Sequence, residues 1–502
     1  MMSGSELNRK SVSAVKWAAA GTAIRFLLQL LTQVILARLL GPESYGLFAM
    51  GLIVLTLSTF VADFGFSWSL VQNKELTEND VRFAFTWQLL SGTAATLALL
   101  LLAPLVAEYF REPRVEIIVR WLSLTCVLTA VTAPGSNLLR RKLDFRTLNV
   151  IQIVSYVIGY LLVGVTLAFL GFGVWALVSA WLSQSFSALV LTFLRAPHSV
   201  RPLLWYAGAR RSTSAGGTVF VTNVCNWLLN NVDRLFLGRF LNAHSVGVYT
   251  VGYNLANTPN SLFLTALQPA FLAAGSKLQD EPARLREVYL SVLSCVWILV
   301  GPAFILLACA APHLIAFLYG AVWAESSAVL AVLALAMPAY VSWGLSTPVL
   351  WNTGGRHLES LLQMPVLALA FVGLWHFAGQ GATAVALVAA ATLAMRALVV
   401  GVCACVRLHV GVPVLLSIGW RAAILMATTA VGTLGAAGLP PAGTLPLLQL
   451  TAAVVGGVLL PTVAVLAFPQ LLGSRVVDML KRFTPPVPGR LYLYLRSRTQ
   501  HQ

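Results

Sequence analysis

The sequence predicts an all-α polytopic membrane protein of about 14 transmembrane helices, arranged as two parallel six-helix bundles plus two extra C-terminal helices. Three observations carry that prediction: the composition, the placing of basic residues between apolar runs, and an internal repeat. Of 502 residues, 58% are hydrophobic and only 10% charged, with a mean hydropathy of +0.82. Such a chain has too little polar surface for a globular body in water. Several runs exceed 18 mostly apolar residues, long enough to cross a hydrocarbon core of about 30 Å as helix. A transmembrane β-barrel needs short alternating segments, and the unbroken Leu, Val and Ala runs exclude one.

Taken in order, spans are predicted at 15–37, 46–70, 83–107, 116–137, 148–170, 173–194, 214–237, 246–274, 288–310, 326–351, 358–378, 380–404, 415–437 and 446–468. The opening MMSGSELNRKSVSAVKW is basic, and the apolar run behind it outlasts a signal-peptide core and has no small-residue cleavage site, so it reads as a retained first span. Gly41-Pro42 ends that span, Glu43 and Ser44 start the next, and Gly46 permits close packing. With the N-terminus on the cytoplasmic side, 25 Lys and Arg fall in cytoplasmic segments and five opposite them. That asymmetry follows the positive-inside rule and puts both termini in the cytoplasm. The net charge of +16 is thereby mostly a topology signal, scattered over short loops, and nucleic-acid binding is disfavoured.

The loops hold no paired carboxylates at metal-binding spacing, no nucleophile beside a base and no glycine-rich phosphate loop, so neither an enzyme nor a bound cofactor or metal is expected. The six cysteines lie in or beside apolar runs and read as small buried hydrophobes, not a disulfide framework.

The repeat has an offset of 201 residues: LARLLGPESYGLFAMG (36–51) aligns with LGRFLNAHSVGVYTVG (237–252), with six identities in sixteen positions. The same offset sets Thr22, Arg25, Gln29 and Thr32 on Asn223, Asn226, Asn230 and Asp233, each set spaced to line one helical face. Polar stripes in lipid face a bundle interior or a water-filled cavity. Six spans per repeat, an even number, give parallel halves, the arrangement in which alternating-access transporters rock around a midplane site. The resulting domains are an N-terminal bundle (1–211), a C-terminal bundle (212–410), two additional helices (411–472) and a basic cytoplasmic tail (473–502).

The stretches ARLLGPESYG (37–46), ADFGFSWSLVQ (62–72), LLRRKLDFR (138–146), GFGVWALV (171–178), NVDRLFLGRFL (231–241) and LQPAFLAAGSKLQDEPARLREVY (267–289) resemble, in their succession, the polysaccharide transporters of the multidrug/oligosaccharidyl-lipid/polysaccharide exporter superfamily. That resemblance implies a flippase of the bacterial cytoplasmic (inner) membrane. It would move an undecaprenyl-pyrophosphate-linked oligosaccharide for lipopolysaccharide or exopolysaccharide synthesis, among membrane lipids and beside a polysaccharide polymerase and glycosyltransferases. The competing readings are an ion-coupled drug or metabolite antiporter of the same superfamily and a non-transporting scaffold of a polysaccharide assembly complex.

For such a substrate, Arg25 is the leading contact: it sits about 13 Å into its helix, and its planar guanidinium suits phosphate oxygens. Its alternative role is a pairing with Asp63 or with carbonyls that holds the bundle together. Gln29, Asn223, Asn226, Asn230 and Arg396 complete the candidate substrate-binding set. The asparagines either bond sugar hydroxyls or glue helices, and Arg396 either contacts substrate or snorkels. Asp63, Asp233 and Arg234 are the candidates for ion coupling or gating, with a helix cap or salt bridge the other reading of Asp63.

Overall fold

The computed structural model describes residues 4–62, 70, 76–206, 216–278, 281–441 and 444–483, nearly all of them helical. The chain divides into two compact units, Met1–Gly247 and Val248–Gln502.

The first unit opens with α1 (Gly4–Ala62), which breaks at Gly41, where φ is 70° and ψ 175°. An L side chain is strained there, and Pro42 then starts the second arm with the fixed φ and missing N–H that suit a first helical turn. Thr77 caps α2 (Glu78–Phe110) in a reciprocal box: Asp80 N donates to Thr77 Oγ1 at 3.3 Å and Thr77 N to Asp80 Oδ2 at 2.7 Å. Then come α3 (Arg114–Arg141), α4 (Phe145–Phe169, with a π-helical segment at Val157–Gly164) and α5 (Val174–Arg195). Asp144 caps α4 by accepting from Thr147 N at 3.1 Å. The unit closes with α6 (Gly216–Phe240) and the first turn of α7 (Ala243–Lys277). The second arm of α1 and helices α2, α3 and α5 pack around one another, and α6 lies against α1 and α2.

The two copies of the repeated turn meet inside this unit. A methyl on Gly46 would stand 1.7 Å from the Ala243 carbonyl oxygen, and one on Gly247 would stand 1.9 Å from that of Pro42. Gly247 and Ala243 are the repeat partners of Gly46 and Pro42, so the contact is self-exchanging. Only glycine allows two helix starts to approach this closely.

The second unit comprises the rest of α7, then α8 (Pro282–Cys309), α9 (Ala311–Leu318), α10 (Ser326–Asn352), α11 (Arg356–Phe377), α12 (Ala382–Arg407), α13 (Val412–Ala437), α14 (Pro446–Ala467) and α15 (Gly473–Phe483). Helix α10 is its most enclosed span, packed on α8 and α12 through Tyr289, Val341, Leu345, Val349, Val400 and Ala404. Tyr289 and Ser346 hydroxyls meet at 2.9 Å in that core. Residues 473–483 of the expected basic tail form α15, tied to α8 by Arg475 Nε and Glu287 Oε2 at 3.2 Å.

Among the described residues, 11 helices are long and apolar enough to cross a membrane, which makes this a multi-pass membrane protein. The prediction of about 14 divides the continuous Ile24–Thr59 stretch at Gly41 and adds the segments now seen as α6 and α7. The contacts place α6 with the first unit, whereas the sequence repeat aligns it with the start of α1.

Candidate functional site

In the first unit, α1 packs against α4, and Arg25 of the stripe reaches across to it. Arg25 is half-buried, and its Nη1 donates to Gln152 Oε1. Thr32 is buried, donating to the Leu28 carbonyl at 2.6 Å, while Gln29 is exposed. Asp63, the other proposed partner of Arg25, lies outside the described residues, as do the side chains of Asn223 and Asn226. Asn230 is half-buried on α6 and Asp233 is buried, its Oδ1 accepting from the backbone N of Arg234 at 2.8 Å. Trp227 donates from Nε1 to Thr56 Oγ1 at 3.0 Å, tying α6 to α1.

A cavity of about 500 Å³ opens between the second arm of α1, α2, α3 and α5. The largest share of its lining comes from α3, where Thr125, Thr129, Thr132, Ser136 and Arg140 follow the spacing i, i+4, i+7, i+11, i+15, which lines one helical face. Thr59, Gln88, Asn137, Trp181, Gln184 and Ser185 supply most of the remaining polar wall. Arg140 Nη1 donates to Asn137 Oδ1 at 3.0 Å. On the opposite faces of α3 and α5, Leu124, Val127, Leu128, Leu182 and Phe186 line an apolar depression with Ile158 and Val163 of α4. On α5 the depression also meets Ser183 and Ser187, so the contrast between a polar and an apolar side is sharper on α3.

Beyond α5, the segment 196–206 runs back along α2. Trp87 Nε1 donates to the Leu204 carbonyl at 3.0 Å, Leu203 N to Thr86 Oγ1 at 2.8 Å, and the Tyr206 hydroxyl to Asp80 Oδ1. His198 sits between Phe85 and Phe193, at 5.4 and 5.6 Å between ring centres. Burial holds its imidazole below the usual pKa, offset in part by its bond to the Ser199 backbone.

The second unit holds a different polar arrangement. Arg396 has no exposed surface, so it does not snorkel. Gln363 Oε1 accepts from its Nε at 3.1 Å and its Nη2 at 2.8 Å, and Gln363 Nε2 donates to Glu359 Oε1 at 3.2 Å. Trp351 Nε1 donates to Glu359 Oε2 at 2.7 Å. The guanidinium lies over Trp343 at 4.2 Å and near Tyr340 at 5.8 Å, and those two rings are stacked.

Sequence reasoning passed over Glu359 because it falls at the very start of its predicted span, and over the α3 stripe because hydroxyls barely lower the apolarity of a span. The signal for that stripe was the helical spacing of Thr125, Thr129, Thr132 and Ser136.

Membrane-length helices around a polar hollow define a multi-pass membrane protein with a polar interior. The chain belongs to the family described as polysaccharide biosynthesis protein, whose model matches residues 35–328. It is similar to the lipopolysaccharide biosynthesis protein WzxC of Escherichia coli K12, 25% identical over 323 residues, 63% of this chain and 65% of that protein. It is also similar to the succinoglycan biosynthesis transport protein ExoT of Rhizobium meliloti, 29% identical over 349 residues and 68% of each chain. The matched stretch thus spans about two thirds of the length of these relatives. Among solved structures, the lipid II flippase MurJ in an inward closed conformation shares the fold, with a TM-score of 0.70 over 89% of this chain and 98% of that one at 13% identity.

Proposed function

We propose that the protein is a flippase that moves a lipid-linked oligosaccharide, carried on undecaprenyl pyrophosphate, across the bacterial cytoplasmic membrane by alternating access. The observation that carries this reading is the cavity of about 500 Å³ lined by hydroxyls, amides and Arg140 inside a bundle of membrane-length helices. Such groups are costly in lipid unless water or a polar cargo meets them, and the volume falls within the roughly 300–1,000 Å³ of small-molecule sites. Relatives named for lipopolysaccharide synthesis and succinoglycan transport support the same reading. A scaffold would have no use for a hydrated interior, and the relative named for succinoglycan transport favours a carrier over an enzyme.

In this reading both termini face the cytoplasm, since Lys and Arg gather on the connections of that side. Arg25 and Gln29 of α1 and Asn223, Asn226 and Asn230 of α6 meet the substrate along the repeated polar stripes, with Arg25 on the pyrophosphate. Arg396 is held for substrate in another conformation of the cycle. Asp63, Asp233 and Arg234 couple or gate the movement. The assembly works beside a polymerase and glycosyltransferases that consume and supply the lipid-linked unit.

Deleting the gene in its host tests the proposal. Lipid-linked repeat units are expected to accumulate in the cytoplasmic leaflet with loss of surface polymer. Normal polymer together with sensitivity to drugs would replace the flippase with the antiporter reading.

A further inference from the structure

The end of the second unit holds an arginine outside the network around Arg396. Arg421 follows Trp420 in α13, and its guanidinium stands 5.6 Å from the centre of that ring. Its Nε is buried without a hydrogen bond, and among the described residues no ion pair reaches the group. A methyl on Gly473 would lie 2.4 Å from Arg421 Nη1, and φ at that glycine is 70°. The glycine thus both makes the turn into α15 and leaves room for the guanidinium against it. Arg475, in the first turn of α15, brings a second cation within electrostatic range of Arg421, while its Nε donates to Glu287 Oε2 at 3.2 Å. Like charges held near each other repel, and an anion set between them turns that repulsion into attraction.

Position and surroundings choose the anion. Helix α14 ends at Ala467 and α15 starts at Gly473, so α15 begins at a membrane surface. Val476 is buried with Ile298 of α8 and Ala422 and Leu425 of α13, while Ser474 and Asp478 of α15 are exposed. A helix with one buried apolar side and one polar side at that depth lies level with the lipid headgroups. Residues 473–502 carry six Lys and Arg against one acidic residue, Asp478, a composition that gathers anionic lipid. Trp420, Ile424 and Val431 of α13 are exposed at the spacing i, i+4, i+11, along one helical face. A free phosphate ion has no use for that apolar strip, whereas a phospholipid lays its acyl chains on it.

We propose that Arg421 and Arg475 together bind the phosphate of an anionic glycerophospholipid from the surrounding bilayer, with its acyl chains along Trp420, Ile424 and Val431. The bound lipid fastens α15 to α13. The inference concerns the lipid around the protein and does not depend on what the protein transports.

The test titrates the full-length protein in detergent with phosphatidylglycerol, phosphatidylcholine, undecaprenyl phosphate and inorganic phosphate. Lipid retention is read by native mass spectrometry and stability by thermal unfolding. Phosphatidylglycerol is expected to be retained roughly tenfold more tightly than phosphatidylcholine, the gain of a charge-assisted bond, and to raise the unfolding temperature. Inorganic phosphate is expected to leave that temperature unchanged, and undecaprenyl phosphate to be retained less than phosphatidylglycerol. Arg421→Gln and Arg475→Gln are each expected to lose most of the preference. Arg284→Gln removes an exposed arginine paired with Glu281 at 3.4 Å and is expected to keep it.

Equal retention of phosphatidylglycerol and phosphatidylcholine, or a preference unchanged in both Arg421→Gln and Arg475→Gln, would overturn the proposal. An equal loss in Arg284→Gln would show general surface charge in place of a site and contradict it too. Stabilisation by inorganic phosphate to the same extent would make the site one for a soluble anion. Stronger retention of undecaprenyl phosphate would hand it to the carrier lipid, and either result overturns the assignment to a bilayer phospholipid.

Discussion

The two units each hold a polar interior, and they differ in what is left open. In the second, Arg396, Gln363, Glu359 and Trp351 form a continuous chain of hydrogen bonds, and the guanidinium is covered by Trp343 and Tyr340. In the first, a similar collection of amides, hydroxyls, an arginine and a tryptophan surrounds a hollow of about 500 Å³, with Thr125 Oγ1 and Trp181 Nε1 unmatched. In this conformation the difference separates polar groups that are matched from polar groups that are open. Groups that satisfy one another hold helices together, while groups that cannot do so wait for a ligand.

That comparison breaks most visibly at Arg396. Arg396→Leu leaves Glu359 buried without its neighbouring cation and is expected to cost about 3–5 kcal/mol, read as a lower unfolding temperature in detergent. The double variant Arg396→Met, Glu359→Gln, which removes both charges, should recover much of the loss. Single and double variants of equal stability would show that the pair does not act as a unit.

The self-exchanging turn of the first unit comes next. Gly46→Ala drives a methyl to 1.7 Å from the Ala243 carbonyl and is expected to cost about 1–3 kcal/mol, as overpacking does. Gly247→Ala should behave alike. Because both open the same crossing, the double variant should cost less than the sum of the two. Full additivity would mean that the two contacts are independent.

Thr125→Val sharpens the contrast from the open side. It removes an unmatched buried hydroxyl without changing shape, so stability is expected to stay level or rise by up to about 1 kcal/mol while transport falls. A loss of stability with normal transport would make Thr125 structural.

The smallest effect is expected at His198. Its buried imidazole has a lowered pKa, so above the unfolded value of about 6.5 both states are neutral and nothing is lost. As pH falls below that value, the unfolded chain takes up the proton first and the stability of this segment declines. Hydrogen exchange of residues 199–206 should therefore quicken on acidification. His198→Phe should remove that dependence, and an unchanged pH profile would put its origin in another group.

Much of the helical order was legible because apolar runs in this chain are long and their punctuation strong. Gly41-Pro42 announced the break in α1, and the echo of Gly46 in Gly247 marked a repeat whose two copies turn out to touch. The polar sites were less legible. Arg25 stands out in an apolar run, but its partner Gln152 is 127 residues away and no local pattern links them. Arg396 reads alone in sequence, and only folding brings Gln363 and Trp343 to it. The α3 hydroxyls were hidden for a different reason. Threonine is tolerated on either face of a membrane helix, so its spacing acquires meaning only when α1, α2 and α5 are seen to leave a hollow beside it.

The central claim is that a lipid-linked oligosaccharide crosses the bilayer through this protein by way of the first unit's cavity. It is tested most directly in sealed proteoliposomes holding the purified protein and a fluorescently tagged lipid-linked oligosaccharide, with a membrane-impermeant quencher added outside. The tag is expected to exchange between leaflets with wild-type protein and at least roughly tenfold more slowly with Arg140→Gln. Exchange no faster than in protein-free vesicles, or equal in the two proteins, would contradict the account.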